Sequence, residues 1–179
     1  MLNAVGPNLN QILQGLIDLR FQNTLMWAED NEAWTILDRT VEDPNGFLLI
    51  IEGAISTLSQ GKLCIVAVKD NTIITGSQLI IRIAPRARYV MAVGTCACFG
   101  GPTAAKPNPS KSVGVGEFLQ RTVINVSGCP AHPDWIIGTL AHLLLFGEPE
   151  VDQYGRPIIF YGETVHRRCT RRSFFDQRI

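Results

Sequence analysis

Three short apolar runs constrain this chain more than any other feature of it. Phe47–Ile51, Tyr89–Val93 and Val123–Val126 each end in a turn: Glu52-Gly53, Gly94-Thr95-Cys96 and Ser127-Gly128-Cys129-Pro130 respectively. Continuous apolar runs of this length, bounded by turn residues, predict strands covered on both faces, as in a parallel sheet. Helical patterns lie between and around them. Leu79, Ile80 and Ile83 predict a helix ending near Pro85, and Trp135, Ile136, Leu140, Leu143 and Leu144 form a stripe closed by Gly147. Another helix is expected over Leu9, Ile12, Leu13, Leu16 and Ile17, with Pro7 and Asn8 as its start signals. Pro157–Tyr161 is expected to add a fourth strand. Strands alternating with helices imply an α/β fold with a parallel sheet. Sites in such sheets form outside the carboxyl ends of the strands, so Glu52, Cys96 and Cys129 are expected along one edge. A doubly wound sheet usually begins with a strand, whereas this sequence opens on a helix. An initial strand and its loop are therefore expected to be missing.

The 179 residues suit one domain, and at this size folding buries roughly 70% of the unfolded surface without staples. A chain with 46% apolar and 18% charged residues is not a disordered one. Sixteen Lys and Arg balance sixteen Asp and Glu, which excludes the global basic field of a nucleic-acid binder. The longest uncharged span, Tyr89–Ala105, is broken by glycines, Pro102 and two cysteines, and does not predict a transmembrane helix. No leader or anchor motif is recognisable. Arg167, Arg168, Arg171, Arg172 and Arg178 crowd one stretch, as a solvated face or as a contact for an acidic partner.

Five cysteines occur at 64, 96, 98, 129 and 169. The odd count argues against a closed disulfide set, and the lack of any CxxC pair argues against a zinc ribbon. Cys96 lies in Gly94-Thr95-Cys96-Ala97-Cys98-Phe99-Gly100-Gly101, where glycines expose amide groups that can donate to cluster sulfides. The alternative is a buried thiol in a glycine-rich turn. Cys129 precedes Pro130, a recurring way to hold a cluster ligand in a rigid turn. His166-Arg167-Arg168-Cys169 spaces a nitrogen and a sulfur donor so that both can face one metal, the alternative being a solvated basic stretch with an incidental cysteine. Cys98 is expected only to pack. Cys64, in the apolar run Leu63–Val68, is expected in the core, and His142 on its apolar helix is expected to be structural. Asn125-Val126-Ser127 matches a glycosylation sequon but lies in an expected buried strand. No Ser-His-Asp order, Walker loop, GxGxxG or HExxH motif is present, which leaves hydrolytic and phosphate-binding roles without support.

Together these motifs resemble the small, electron-transferring subunit of nickel–iron hydrogenases. The matching stretches run in order: Thr24-Leu25-Met26, Ile50–Ala54, Val93–Ala97 with Phe99-Gly100-Gly101, and Ala104–Pro109. They continue through Gly128-Cys129-Pro130, Trp135-Ile136 and Tyr154–Pro157 to Phe160-Tyr161-Gly162, His166, Cys169 and Arg171-Arg172. The resemblance implies a flavodoxin-like, doubly wound, three-layer α/β domain over residues 1–162 that lacks the family's first strand, with residues 163–179 as the start of a C-terminal iron–sulfur segment. It implies that Cys96 and Cys129 are two ligands of a proximal [4Fe-4S] cluster, with Glu52 and Thr95 beside it. His166 and Cys169 match half of a distal [4Fe-4S] ligand set. The family's CxxC loop, its medial [3Fe-4S] or [4Fe-4S] ligands and the rest of the distal set have no counterpart in this sequence. The chain is thus expected to be the middle of a longer subunit, truncated at both ends.

The resemblance also implies a function. The chain would relay electrons from H2 oxidation to an outside acceptor such as a cytochrome or a quinone-linked subunit. The nickel–iron chemistry would belong to a large partner subunit, and no catalytic acid, base or nucleophile is expected in this chain. Its loops around Glu52, Cys96 and Cys129 would meet that partner, and obligate heterodimers bury more than about 2,000 Å2. Relatives of this type are periplasmic or membrane-associated. Three alternatives compete: the related cluster-bearing subunit of respiratory complex I, a single-cluster cytosolic hydrogenase subunit, and a cluster-free flavodoxin-like interaction domain. The first two should lack the His166–Cys169 pair; the third is supported by the missing CxxC and opposed by the retained Cys96, Cys129, His166 and Cys169.

Overall fold

The structure, a computed structural model, describes residues 7, 9–69 and 71–178. In chain order it contains α1 (Leu9–Gly15), α2 (Asp30–Glu42), β1 (Leu48–Glu52), β2 (Ile55–Ser56), β3 (Ile65–Lys69), β4 (Thr72–Thr75), α3 (Gly76–Ile83) and β5 (Tyr89–Val93). There follow α4 (Thr95–Phe99), β6 (Ser112–Val113), α5 (Val115–Leu119), β7 (Ile124–Val126), α6 (Pro133–Phe146) and the short helices α7 (Ile158–Tyr161), α8 (Val165–Arg168) and α9 (Arg172–Asp176).

The three apolar runs form one parallel sheet in the order β1-β5-β7. Helices cover both faces of β5 and β7, which suits their continuous apolar runs, whereas Ile50 in β1 is 43% exposed. On one face Ile51, Val90 and Ala92 pack with Ala97, Cys98 and Val115, joined by Ile80 and Phe118. On the other, Met91, Ile124 and Val126 pack with Ile136, Leu140 and Leu143 of α6. These are the three layers expected of a doubly wound α/β fold. The register matters most for the site. Glu52 lies opposite Val93, and Val93 opposite Val126, so the three strands end in one row.

The helix ends follow local chemistry. Thr75 caps α3 through a capping box, its side chain accepting from the Gln78 amide while Gln78 Oε1 accepts from the Thr75 amide. Gly147, at φ +81°, ends α6 as the sequence predicts, and His142 Nδ1 lies 3.0 Å from the Gly147 carbonyl, which confirms a structural role for that histidine. The first helix occupies Leu9–Gly15; its start signal Asn8 lies outside the described residues.

Two expectations are corrected. Pro157–Tyr161 is not a fourth strand: Pro157 caps the one-turn helix α7, and only an isolated bridge joins Val151 to Pro157. An apolar run that opens on proline serves a helix start equally well, since that first turn needs no amide from proline. Nor is Leu63–Val68 core. It forms β3, paired with β4 in a two-stranded hairpin that leaves Leu63, Ile65 and Val68 more than half exposed and Cys64 exposed as well. Helix α2, which the periodicity does not announce, buries Trp34 and Leu37 and is tied to α3 by the Arg82–Asp38 ion pair. No helix among the described residues is long and apolar enough to cross a membrane.

Candidate electron-transfer site

The row of strand ends brings two cysteine-bearing turns together. The Gly94 amide donates to the Val126 carbonyl at 2.9 Å, which extends the β5–β7 ladder past the last strand residues. Thr95 then makes a reciprocal pair with Gly128. Its amide donates to the Gly128 carbonyl at 2.9 Å, and its Oγ1 accepts from the Gly128 amide at 3.1 Å. Each bond lies one residue before a cysteine, so Thr95 stitches the Cys96 turn to the Cys129 turn. Thr95→Val keeps the side-chain shape and removes the acceptor. Folding stability is expected to fall by about 1 kcal/mol. An unchanged urea midpoint would show that the bond contributes nothing.

Cys96 lies in the first turn of α4 and is half-buried, whereas Cys129 is exposed. Gly101 is packed against Cys96: a Cβ at Gly101, where φ is +58°, would meet Cys96 Sγ at 2.5 Å. Only glycine leaves the thiol its place. Glu52 lies exposed at the end of β1, in the same row.

Cys98 faces the other way, as expected. It is 5% exposed, and its thiol donates to the Ala92 carbonyl at 3.4 Å. Burial pushes this thiol from 9.0 up to about 12, against a smaller opposing pull from Arg156. Because the folded value lies above the unfolded one, its contribution to stability is complete below pH 9 and is lost as pH rises towards 12. The urea midpoint of the wild-type chain should therefore fall more steeply above pH 9 than that of Cys98→Ala. Parallel slopes in the two proteins would contradict the burial argument. Asn125 is 8% exposed within β7, which agrees with discounting its sequon.

The second donor pair occupies α8 and its cap. The Cys169 amide donates to the His166 carbonyl at 3.2 Å, and Cys169 is exposed. His166 Nε2 lies 3.7 Å from Asp176 Oδ1, with its ring centre 5.1 Å from that of Phe175 in α9.

A [4Fe-4S] cluster takes four thiolates, and the strand-end row offers two candidates, Cys96 and Cys129. The donor chemistry fits, since both are free thiols on adjacent glycine-bearing turns. The donor number is half what the cluster needs. Among the described residues no group of three or more His, Cys, Asp or Glu is placed to hold a metal ion.

Tyr161 and Arg156 lie in stretches that carry the resemblance, which assigns them no role, yet both bear directly on the Cys129 turn. Tyr161 Oη donates to the Ser127 carbonyl at 2.7 Å, and its ring centre lies 4.8 Å from that of Trp135 and 5.1 Å from the Arg156 guanidinium. Burial pushes the Tyr161 phenol up, so at neutral pH it keeps the proton it donates.

Comparison with known proteins agrees with this geometry. The family model described as NADH ubiquinone oxidoreductase, 20 Kd subunit, matches residues 1–143. The periplasmic [NiFeSe] hydrogenase small subunit of Desulfomicrobium baculatum is 38% identical over 98% of this chain and 62% of its own length. The quinone-reactive Ni/Fe-hydrogenase small chain of Wolinella succinogenes is 33% identical over 98% of this chain and 49% of its own length. A solved structure of the D. baculatum [NiFeSe]-hydrogenase superposes with a TM-score of 0.88 at 36% identity, over 98% of this chain and 70% of that one. The chain thus spans about half to three-fifths of the length of the curated relatives it matches. The chain belongs to the NADH ubiquinone oxidoreductase 20 Kd subunit family, and along almost its whole length it is similar to hydrogenase small subunits.

Proposed function

We propose that this chain is the flavodoxin-like part of the electron-transferring small subunit of a nickel–iron, uptake-type hydrogenase. One observation supports the reading above all: Cys96 and Cys129 sit on adjacent turns at the carboxyl ends of neighbouring parallel strands, joined by the Thr95–Gly128 hydrogen bonds. In this reading Cys96 and Cys129 hold part of a proximal [4Fe-4S] cluster, and a cluster of this type supplies one-electron transfer. The chain's own residues place the two thiols, bury one flank of the site through α4 and leave Cys129 towards the outside. The remaining ligands come from outside the described residues. His166 and Cys169 belong to the distal site, and residues 163–179 begin the C-terminal iron–sulfur segment.

The chemistry of H2 falls to the large nickel–iron subunit, which meets this chain at the row formed by Glu52, Cys96 and Cys129. The subunit works in the periplasm or at the membrane, a reading supported by the periplasmic hydrogenase small subunit of D. baculatum and the quinone-reactive one of W. succinogenes. The electron acceptor is a cytochrome or a quinone-linked subunit.

A second reading, a cluster-free interaction domain, draws on the shortage of donors among the described residues. Anaerobic co-production with a nickel–iron large subunit separates the two. A heterodimer that contains iron and acid-labile sulfide, shows a reduced [4Fe-4S] EPR signal and loses both in the Cys96→Ser/Cys129→Ser double variant bears out the electron-transfer role. A colourless, iron-free heterodimer leaves the interaction domain.

A further inference from the structure

Residues 152–161 form a clasp over β7 and the turn beyond it. Asp152 gathers the clasp, its carboxylate accepting from the Tyr154 amide at 2.9 Å, the Arg156 amide at 2.9 Å and Arg156 Nε at 2.8 Å. Burial works to raise this carboxyl, but the Arg156 and Tyr154 hydrogen bonds and the Arg156 charge hold it below the usual 3.8. The clasp is fastened to β7 at Asn125. The Asn125 amide donates to the Gly155 carbonyl at 2.8 Å, and Asn125 Nδ2 donates to the Tyr154 carbonyl at 2.7 Å. The approach is close enough to require glycine at 155, where a Cβ would come within 2.8 Å of the Val123 carbonyl oxygen. The chain then turns through α7 and returns Tyr161 to the end of the same strand, at Ser127.

We infer that Tyr161 is a positioning residue for Cys129: its hydroxyl, with the ring braced by Arg156 and Trp135, fixes the Ser127 carbonyl and so the direction in which the chain leaves β7 into Gly128-Cys129. Two anchors then act on one turn: the Ser127–Gly128 peptide is held through its carbonyl by Tyr161 and through its N–H by Thr95 Oγ1, and the next peptide is held through the Gly128 carbonyl by the Thr95 amide. Thr95 holds the Gly128 peptide from the β5 side, and Tyr161 holds Ser127 from the clasp. A turn held by one anchor alone can pivot on it. Two anchors on successive residues remove that freedom, which a ligand thiol on an exposed turn needs most, since burial does not supply it. A direct base or donor role at the cluster is not part of the inference, because the Tyr161 hydroxyl is committed to a backbone carbonyl.

The inference rests on Cys129 being a cluster ligand only for its purpose. The clasp itself is testable without a cluster, by amide hydrogen exchange on the full chain. Tyr161→Phe keeps the ring and its packing and deletes only the hydroxyl. The Thr95 and Gly128 amides, which bond across the two turns, should exchange about tenfold faster in Tyr161→Phe. Met91 and Ala92 in the central strand should stay within about twofold of wild type. Arg156→Gln, which loosens the brace and retains the hydroxyl, should give a smaller acceleration at the same two amides. Uniform acceleration in both variants, central strand included, would reduce Tyr161 to a general stabiliser and overturn the inference, as would no acceleration at all. In the heterodimer with a large subunit, Tyr161→Phe should alter the EPR line shape of the reduced cluster, and an unaltered line shape would overturn the positioning role. An iron-free heterodimer whose chain still shows the local exchange pattern would refute the cluster reading and leave the clasp standing.

Discussion

Gly128→Ala should be among the most damaging single-methyl changes this chain can suffer, costing about 4 kcal/mol of folding stability. Two causes add. Gly128 sits at φ +142°, a conformation that residues with a side chain rarely adopt. A Cβ there would also meet the Pro130 carbonyl oxygen and the Ala131 Cα at 2.8 Å each. These are backbone atoms, which cannot rotate aside as a flexible side chain can. For a chain of this length the loss amounts to a fall in melting temperature of more than about 8 °C. Gly53→Ala is the control. Gly53 has φ +87°, but a Cβ there meets nothing within 4 Å, so it carries the conformational cost of about 1–2 kcal/mol without the collision. Equal losses in the two variants, read from thermal unfolding, would show that the collision at Gly128 is relieved at no cost. In the heterodimer, Gly128→Ala should also lose iron in parallel with Cys129→Ser, because the turn that presents the thiol is the one displaced.

Met91→Ala is the second large effect, at about 3 kcal/mol. Met91 is fully buried in the middle strand, against Ile124 and the apolar face of α6. Its removal leaves a cavity between sheet and helix that neither can close without breaking the β5 ladder. The expected fall in melting temperature is about 6–12 °C. Leu144→Ala on the same helix gives the contrast: Leu144 is 65% exposed, so its loss should stay within about 0.5 kcal/mol. A Met91→Ala protein that melts with the wild type would show that the layer over this face contributes little.

The parallel sheet was legible because β5 and β7 are covered on both faces, which leaves an unbroken apolar signature, and β1 carries the same signature although Ile50 is 43% exposed. The same signature misleads where no layer exists to provide the cover. Leu63–Val68 is as apolar as a core strand, yet it forms an exposed hairpin, and a run of side chains carries no record of whether a helix will lie over it. Pro157–Tyr161 shows a different limit, since five residues are too few for periodicity to separate strand from helix, and tertiary packing of Phe160 and Tyr161 on Trp135 decides. Helix α2 escaped because its buried face rests on Trp34 and Leu37 alone.

At the site, Cys96 and Cys129 could be paired from the sequence because strand ends in a parallel sheet share one edge. Tyr161 could not, because its partner is a backbone carbonyl 34 residues away, and a carbonyl has no residue type for a pattern to find. The two left-handed glycines that shape the turns, Gly101 and Gly128, were visible as glycines, but what each makes room for was not.

The alignment of Glu52, Val93 and Val126 makes the sheet a ruler. Neighbouring strands in any hydrogen-bonded sheet lie about 4.8 Å apart, a spacing fixed by the peptide group and not by side chains. Insertions in the crossover segments between these strands can lengthen the chain, and drift in the helices can change their packing, without altering that interval. The separation of the two cysteine turns is thereby taken out of the hands of side-chain evolution. Relatives that share little beyond these strand ends should still present their donors at the same pitch.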